Sequence, residues 1–164
     1  MKTTPEVAEL LHDLMLRDLL ASEVYLVQAA LLRDQGLLRL AAHFEHESLH
    51  ERQHAGWQLE RLTFLGVPLD LSKRPQHGPL GSSAKDFIEA SLKMEVGVAD
   101  TLRELCKAAM GVDEGTYLLA QRLLEETESD HIFWLEQQLS LIAQVGEKNY
   151  LSQMTHEDDA SGEA

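Results

Sequence analysis

The amino-acid sequence contains two sets of metal-ligand-type side chains that repeat with a constant offset. Members of the second set lie 77 positions after their counterparts in the first, and the pairs are Asp18 and Glu95, Glu51 and Glu128, and His54 and His131. In each set a lone carboxylate precedes a Glu-x-x-His pair. Residues three apart on a helix share a face, so each pair can direct a carboxylate and an imidazole at one ion. The repeat therefore predicts two copies of one helical hairpin that together form a site for two metal ions.

The residue types indicate which ions suit such a site. Carboxylates prefer hard cations, and imidazole adds a preference for iron, zinc or manganese. The set contains no thiolate, which argues against a Cys-rich structural zinc site. One Glu-x-x-His pair is common by chance on a solvated acidic helix, but two copies, each preceded by a carboxylate at the same distance, favour a metal site.

Composition limits the class of protein. The chain has 164 residues, 44% of them hydrophobic and 5% aromatic, with a net charge of −14 that disfavours direct nucleic-acid or anionic-membrane binding. Its one cysteine, Cys106, excludes an internal disulfide. The sequence shows neither a signal-like N-terminal segment nor an apolar run long enough to span a bilayer. We therefore expect a cytoplasmic protein.

Helical periodicity predicts an all-α four-helix bundle. The predicted helices are 5–35, 38–64, 84–110 and 116–145, with a short fifth helix at 148–155. Residues 67–83 lack periodicity, and a connection of that length can run the full length of the bundle. This single long crossover relates the two hairpins by a two-fold axis and brings their ligands together. We expect one domain at 1–155 and a disordered polar tail at 156–164.

The chain resembles the bacterioferritins, which belong to the ferritin-like superfamily, over residues 1 to about 155. The matching stretches are Tyr25, Gly36-Leu37, Arg39-Leu40, His46-Glu47-Ser48, Glu51, His54-Ala55, Phe64-Leu65, Glu128, His131, Trp134-Leu135-Glu136 and Asn149-Tyr150-Leu151. The resemblance implies a 24-subunit shell that oxidises Fe(II) with O2 or H2O2 at an intrasubunit di-iron centre and stores the ferric mineral.

The resemblance also implies a role for each ligand. Glu51 and Glu128 match bridging carboxylates, His54 and His131 match terminal imidazoles, and Glu95 matches a terminal carboxylate. The family usually has glutamate at position 18. Asp18 is shorter by one methylene, so we expect it to ligate less well and to weaken one iron position, or to be only a polar core residue.

Other resemblances concern haem and the path of iron. Bacterioferritins bind haem between two subunits through one methionine from each, and the matching position here is Arg52. Because arginine offers no sulfur ligand, we expect a homo-oligomer without haem.

Tyr25 resembles a tyrosine near the di-iron centre that donates an electron or a hydrogen bond, and core packing is the alternative. His46 and His50 match positions on the inner surface of the shell that can pass iron inward; the alternative is inert surface histidines.

Three functions remain open at the sequence level. The first is ferroxidase and iron storage. The second is a mainly structural, haem-free subunit in a mixed shell with a haem-binding sister chain. The third is a small rubrerythrin-type di-iron peroxidase or oxidase, although the chain has no CxxC pair for a rubredoxin module.

Overall fold

Four helical rods and a short terminal helix make up the fold, as the sequence predicts. The computed structural model describes residues 3–156. Its elements are α1 (Pro5–Asp34), α2 (Leu38–Leu65), a 3₁₀ turn (Leu71–Lys73), α3 (Ala84–Ala109), α4 (Glu114–Glu126), a π-helical segment (Thr127–Ile132), α5 (Phe133–Val145) and α6 (Glu147–Ser152). The fourth rod consists of α4, the π-helical segment and α5 in direct succession. The predicted bundle with one long crossover is confirmed.

Local sequence signals set the ends of the rods. Gly66 ends α2 with φ 72°, a left-handed conformation that favours glycine. Ser83 and Asp86 form a reciprocal capping box at the start of α3. Asp113 caps α4 by accepting hydrogen bonds from the backbone N–H and the hydroxyl of Thr116, and it also pairs with Arg61. The fourth rod therefore begins two residues earlier than the predicted start at 116.

The C-terminal helix ends earlier than the sequence pattern predicted. α6 ends at Ser152, whereas the sequence pattern predicted a fifth helix up to residue 155. Apart from His156, the predicted tail at 156–164 lies outside the described residues. Between residues 3 and 156, no helix is long and apolar enough to cross a membrane.

Two apolar clusters fill the two ends of the bundle. One contains Tyr25, Phe44, Phe87, Leu135 and Tyr150 among others, and the second contains Leu11, Leu62, Leu102, Leu105 and Leu123 among others. Between them, at mid-bundle, lie buried acidic, basic and neutral polar side chains. The apolar ends thus shield a polar centre from water. The predicted ligands lie in this polar centre.

Candidate metal centre

Five of the six predicted ligands come together at mid-bundle. Donor atoms of Asp18, Glu51 and His54 lie within 4.8 Å of one another, and so do those of Glu51, Glu95 and His131. The two triads share Glu51. α1, α2, α3 and the π-helical segment each supply part of the site, so the two hairpins meet as the 77-residue repeat predicts.

The cluster is buried deeply enough for its charges to matter. Asp18, Glu51, His54, Glu95 and His131 are all 1–2% exposed. Burial, followed by the charge of Glu51, raises the pKa of Asp18 well above its usual value and also raises that of Glu95. Burial also opposes ionisation of Glu51, but its contacts with His131 and His54 outweigh this and lower its pKa to about 2. Glu51 is therefore the anionic centre of the site.

Several donor atoms of the cluster carry no hydrogen bond among the described residues. They are Oδ1 of Asp18, Oε1 of Glu51, Oε2 of Glu95 and Nδ1 of His131. Nδ1 of His131 lies close to both glutamate oxygens but without the alignment of a hydrogen bond, and Oδ1 of Asp18 has no partner within the described chain. Buried polar groups are almost always satisfied, and convergent carboxylate oxygens with an imidazole nitrogen are the donor set of a hard or borderline cation. The residues therefore fit a pair of metal ions.

His131 is the main positive charge among the carboxylates of the cluster. Its Nδ1 lies 3.0 Å from Glu51 Oε1 and 3.3 Å from Glu95 Oε2, and its Nε2 lies 3.1 Å from Glu47 Oε2. Burial disfavours its charge, but these carboxylates outweigh burial and raise its pKa to about 12. Protonated His131 thus balances part of the negative charge of Glu47, Glu51 and Glu95.

Asp18 reaches the cluster despite its shorter side chain. Its Oδ2 accepts a hydrogen bond of 2.6 Å from Nε2 of Gln58, and Oδ1 remains unpaired. Asp18 thus lies within the candidate site, and its role as a ligand stays a prediction. Its effect on the strength of one metal position stays a prediction.

Tyr25 contacts the site directly. Its hydroxyl donates a 2.6 Å hydrogen bond to Oε1 of Glu95. Burial and then Glu95 raise the pKa of Tyr25 well above its usual value, so the phenol keeps its proton. The structure therefore brings Tyr25 to a candidate ligand, while electron donation by Tyr25 stays a prediction.

The structure does not bring Glu128 into the cluster. Its carboxylate is 48% exposed and lies 2.5 Å from Arg103 on α3. The reason is the π-helical segment at Thr127–Ile132. A π turn is wider than an α turn, so residues three apart no longer share a face, and Thr127 is buried where the α-helical spacing predicted Glu128.

Glu126 is the carboxylate of the fourth rod that lies at the site. One of its oxygens is 2.9 Å from Nε2 of His54 and 3.7 Å from Nε2 of His50. Its other oxygen accepts a hydrogen bond from Arg122. Since its side chain is 22% exposed, Glu126 lies at the rim of the cluster, between the buried ligands and solvent.

The other two predicted histidines lie at and beyond this rim. His50 is half-buried, and its Nδ1 lies 3.1 Å from Nε2 of His131. His46 is exposed, with its ring centre 6.0 Å from that of His50. His46, His50 and His131 therefore form a continuous row from the surface to the metal centre.

Arg52 lies on the outer side of α2, away from the buried cluster. It is exposed, and its neighbours on that side include Leu49 and Leu59, which are also exposed. The side chain is thus available at the position where the resemblance implied a haem ligand.

Glu47, Gln58 and Glu126 belong to the site but were absent from the sequence-based set. Glu47 and Gln58 lie four residues before Glu51 and four residues after His54, so α-helical spacing already placed them on the ligand face of α2. Glu126 had no such signal, because only the π-helical segment turns it toward His54.

Comparison with known proteins identifies the family. Residues 8–145 match the ferritin-like domain. The chain is 35% identical to "Bacterial ferritin" of Paramagnetospirillum magnetotacticum over 154 residues, which cover 92% of this chain and 93% of that protein. It is also 35% identical to "Bacterial ferritin" of Synechocystis sp. over 161 residues, covering 94% and 100%. With "Bacterioferritin" of Brucella melitensis it shares 34% identity over 157 residues, covering 92% of both chains. Together with the four-rod bundle and its mid-bundle ligand cluster, these matches show that the chain belongs to the ferritin-like family.

Proposed function

We propose that this protein stores iron by oxidising Fe(II) at an intrasubunit di-iron centre and depositing ferric mineral in a 24-subunit shell. The observation that carries the proposal is the pair of buried triads that share Glu51. A carboxylate common to two ligand sets is the arrangement that holds two cations close together. The relatives named as bacterial ferritins and bacterioferritin support iron as the metal.

The proposed ligands divide into a shared carboxylate and two terminal pairs. Glu51 bridges the two ions. Asp18 and His54 complete one position, and Glu95 and His131 complete the other. Glu126 supplies the carboxylate of the fourth rod beside His54, in place of Glu128. These four carboxylates balance about four positive charges, those of two Fe(II) ions.

The paired site accounts for the redox chemistry. Each Fe(II) gives up one electron, so two neighbouring ions together reduce one oxidant by two electrons. With O2, two Fe(II) and two protons give two Fe(III) and H2O2; with H2O2, the same two electrons and two protons give two H2O. Burial of the cluster keeps this reaction away from bulk water. The hydrogen bond from Tyr25 holds Glu95 in place during the change of charge.

We propose that iron passes between the centre and the mineral along the histidine row. His50 contacts both His131 and Glu126, and His46 lies next to it at the surface. Imidazoles and a partly exposed carboxylate bind Fe(II) more weakly than the complete buried triads, which suits transfer sites.

Exposed apolar side chains support assembly into a shell. Leu26 on α1 is 56% exposed, and Leu49 and Phe64 on α2 are 66% and 58% exposed. Assembly into a shell would cover exposed apolar side chains of this size on both helices. Size-exclusion chromatography separates the proposed shell from a small rubrerythrin-type oligomer.

Stopped-flow Fe(II) oxidation by the purified full-length protein tests the proposal. At two Fe(II) per subunit, the wild-type protein should show a rapid phase that Glu51→Ala and His131→Ala lose. His77→Ala is the matched control, since His77 lies in the long connection and belongs to none of the ligand clusters. An equally fast phase in Glu51→Ala would place the oxidation elsewhere.

A further inference from the structure

Asp18 and Glu95 are anchored in the same way. Gln58 donates to Oδ2 of Asp18 at 2.6 Å, and Tyr25 donates to Oε1 of Glu95 at 2.6 Å. The second oxygen of each carboxylate is buried and accepts no well-aligned hydrogen bond from residues 3–156; Oε2 of Glu95 lies 3.3 Å from Nδ1 of His131. Each carboxylate is therefore held by one oxygen and presents the other to the cluster.

The two anchors do not belong to the 77-residue repeat. The counterpart of Gln58 is Leu135, and the counterpart of Tyr25 is Leu102. Both donors thus belong to the first hairpin, at positions where the second hairpin has leucine. Gln58 binds the shorter carboxylate, Asp18, within the same hairpin, whereas Tyr25 binds Glu95 of the second hairpin.

Packing alone does not explain an amide at position 58. Gln58 is 0% exposed, and its Oε1 has no hydrogen-bond partner within the described chain. A buried, unpaired carbonyl oxygen is costly, so an apolar side chain would serve the core better. The 2.6 Å bond to Asp18 is the interaction that offsets this cost.

We propose that Gln58 is a positioning residue of the metal centre, which fixes the short carboxylate of Asp18 so that Oδ1 meets the ion shared with Glu51 and His54. This inference rests on the proposed di-metal site. Gln58 acts through Asp18 and does not touch the metal. Groups that orient a metal ligand in this way contribute about 10–100-fold to metal affinity. The effect should be confined to the Asp18 position, because Tyr25 anchors the other terminal carboxylate.

Co(II) titration of the metal-free, full-length protein tests this role. Co(II) is followed by its visible absorption and by competition with a chelator. Wild-type protein should bind two Co(II) per subunit in the cluster, and Gln58→Leu should weaken one of them by about 10–100-fold and leave the other unchanged. Gln58→Met, which keeps the length of the side chain without the donor, should behave in the same way.

Gln28→Leu is the matched control for loss of a buried amide. Gln28 is also 0% exposed, but its hydrogen bonds go to Phe87 and Ser91, which are not in the cluster. It should leave both Co(II) positions unchanged. Circular dichroism establishes that each variant is folded.

A double-mutant cycle separates positioning from a general structural effect. If Gln58 acts only through Asp18, Gln58→Leu should cause no further loss in an Asp18→Ala background. Equal weakening of both ions in Gln58→Leu, no weakening of either, or an additive loss in the double variant would overturn the positioning role. Absence of Co(II) from the cluster of the wild-type protein would overturn the proposed di-metal site itself.

Discussion

The carboxylate of Glu126 lies 2.9 Å from Nε2 of His54, at the edge of the cluster where the repeat predicted Glu128. Glu128 instead pairs with Arg103 on the outside of the bundle. The two glutamates are two residues apart, and the π-helical segment that begins at Thr127 decides which of them faces the site.

Paired substitutions test this exchange of ligands. Because Glu126 contacts His54, Glu126→Ala should weaken metal binding and slow the rapid phase of Fe(II) oxidation about tenfold or more. Glu128→Ala, its matched control, should leave both nearly unchanged, since it removes only an exposed ion pair worth about 0–1 kcal/mol. The reverse order of effects would mean that metal binding converts the π turn into an α turn and brings Glu128 inward.

The exchange also shows what the sequence can predict. Helical periodicity predicted the bundle, and its absence over residues 67–83 predicted the long crossover. The 77-residue repeat predicted the meeting of Asp18, Glu51, His54, Glu95 and His131, although His131 lies within the π-helical segment. Glu126 could not be predicted, because a π turn has no reliable sequence signature and breaks that periodicity. Gln58 could have been found, since it lies on the same face of α2 as His54, but amides are rarely counted among metal-site residues.

Metal binding should release protons. His131, whose pKa is raised to about 12, is protonated in the metal-free protein at neutral pH, and the pKa of His54 is also raised, because its contact with Glu51 outweighs burial. A metal requires neutral imidazole and ionised carboxylate, so filling both positions at pH 7 should release the proton of His131 together with those that His54, Asp18 and Glu95 carry. Affinity should accordingly rise with pH. A Zn(II) titration in weak buffer with an indicator dye measures the protons, and binding without proton release would contradict the assigned charges.

The same charges set the pH dependence of the metal-free fold. The raised pKa of His131 means that its pairing stabilises the protein fully below its ordinary pKa of 6.5, and that this stability is lost as pH rises toward 12. For Glu51, the lowered pKa means that stability is present above 4.5 and is lost as pH falls toward 2. Metal-free protein should therefore be less stable at both low and high pH. In His131→Ala, the loss of stability at high pH should disappear. Thermal unfolding across pH measures this difference.

Asp18→Glu should weaken the site. The shorter arm alone predicted a handicap that glutamate would repair, but Asp18 and Gln58 are 2% and 0% exposed and already in contact. An extra methylene must displace the amide, and overpacking of this kind costs about 1–3 kcal/mol. Lower Co(II) affinity at one position and a lower Tm are expected. Higher occupancy in Asp18→Glu would mean that the short arm is a handicap.

The homo-oligomer should purify without haem. Arg52 is exposed on α2 beside Leu49 at the position where the resemblance implied a methionine ligand. Two guanidinium groups near a dimer axis would repel each other and offer no sulfur to the haem iron. Arg52→Met should gain haem absorption after growth with added haem, and Arg52→Leu is the control for loss of charge alone. Stoichiometric haem in the unmodified homo-oligomer would contradict this prediction, and co-purification with a methionine-bearing sister chain would favour a mixed shell.

The central claim is that each subunit holds two iron ions between its two hairpins. A crystal structure of protein loaded anaerobically with Fe(II), with anomalous scattering recorded at the iron edge, tests it most directly. We predict two iron peaks about 3.5–4 Å apart. One should lie between Asp18, Glu51 and His54, and the other between Glu51, Glu95 and His131. Iron found only at His46 and His50, or on the outer surface with the buried carboxylates still turned toward His131, would contradict the account.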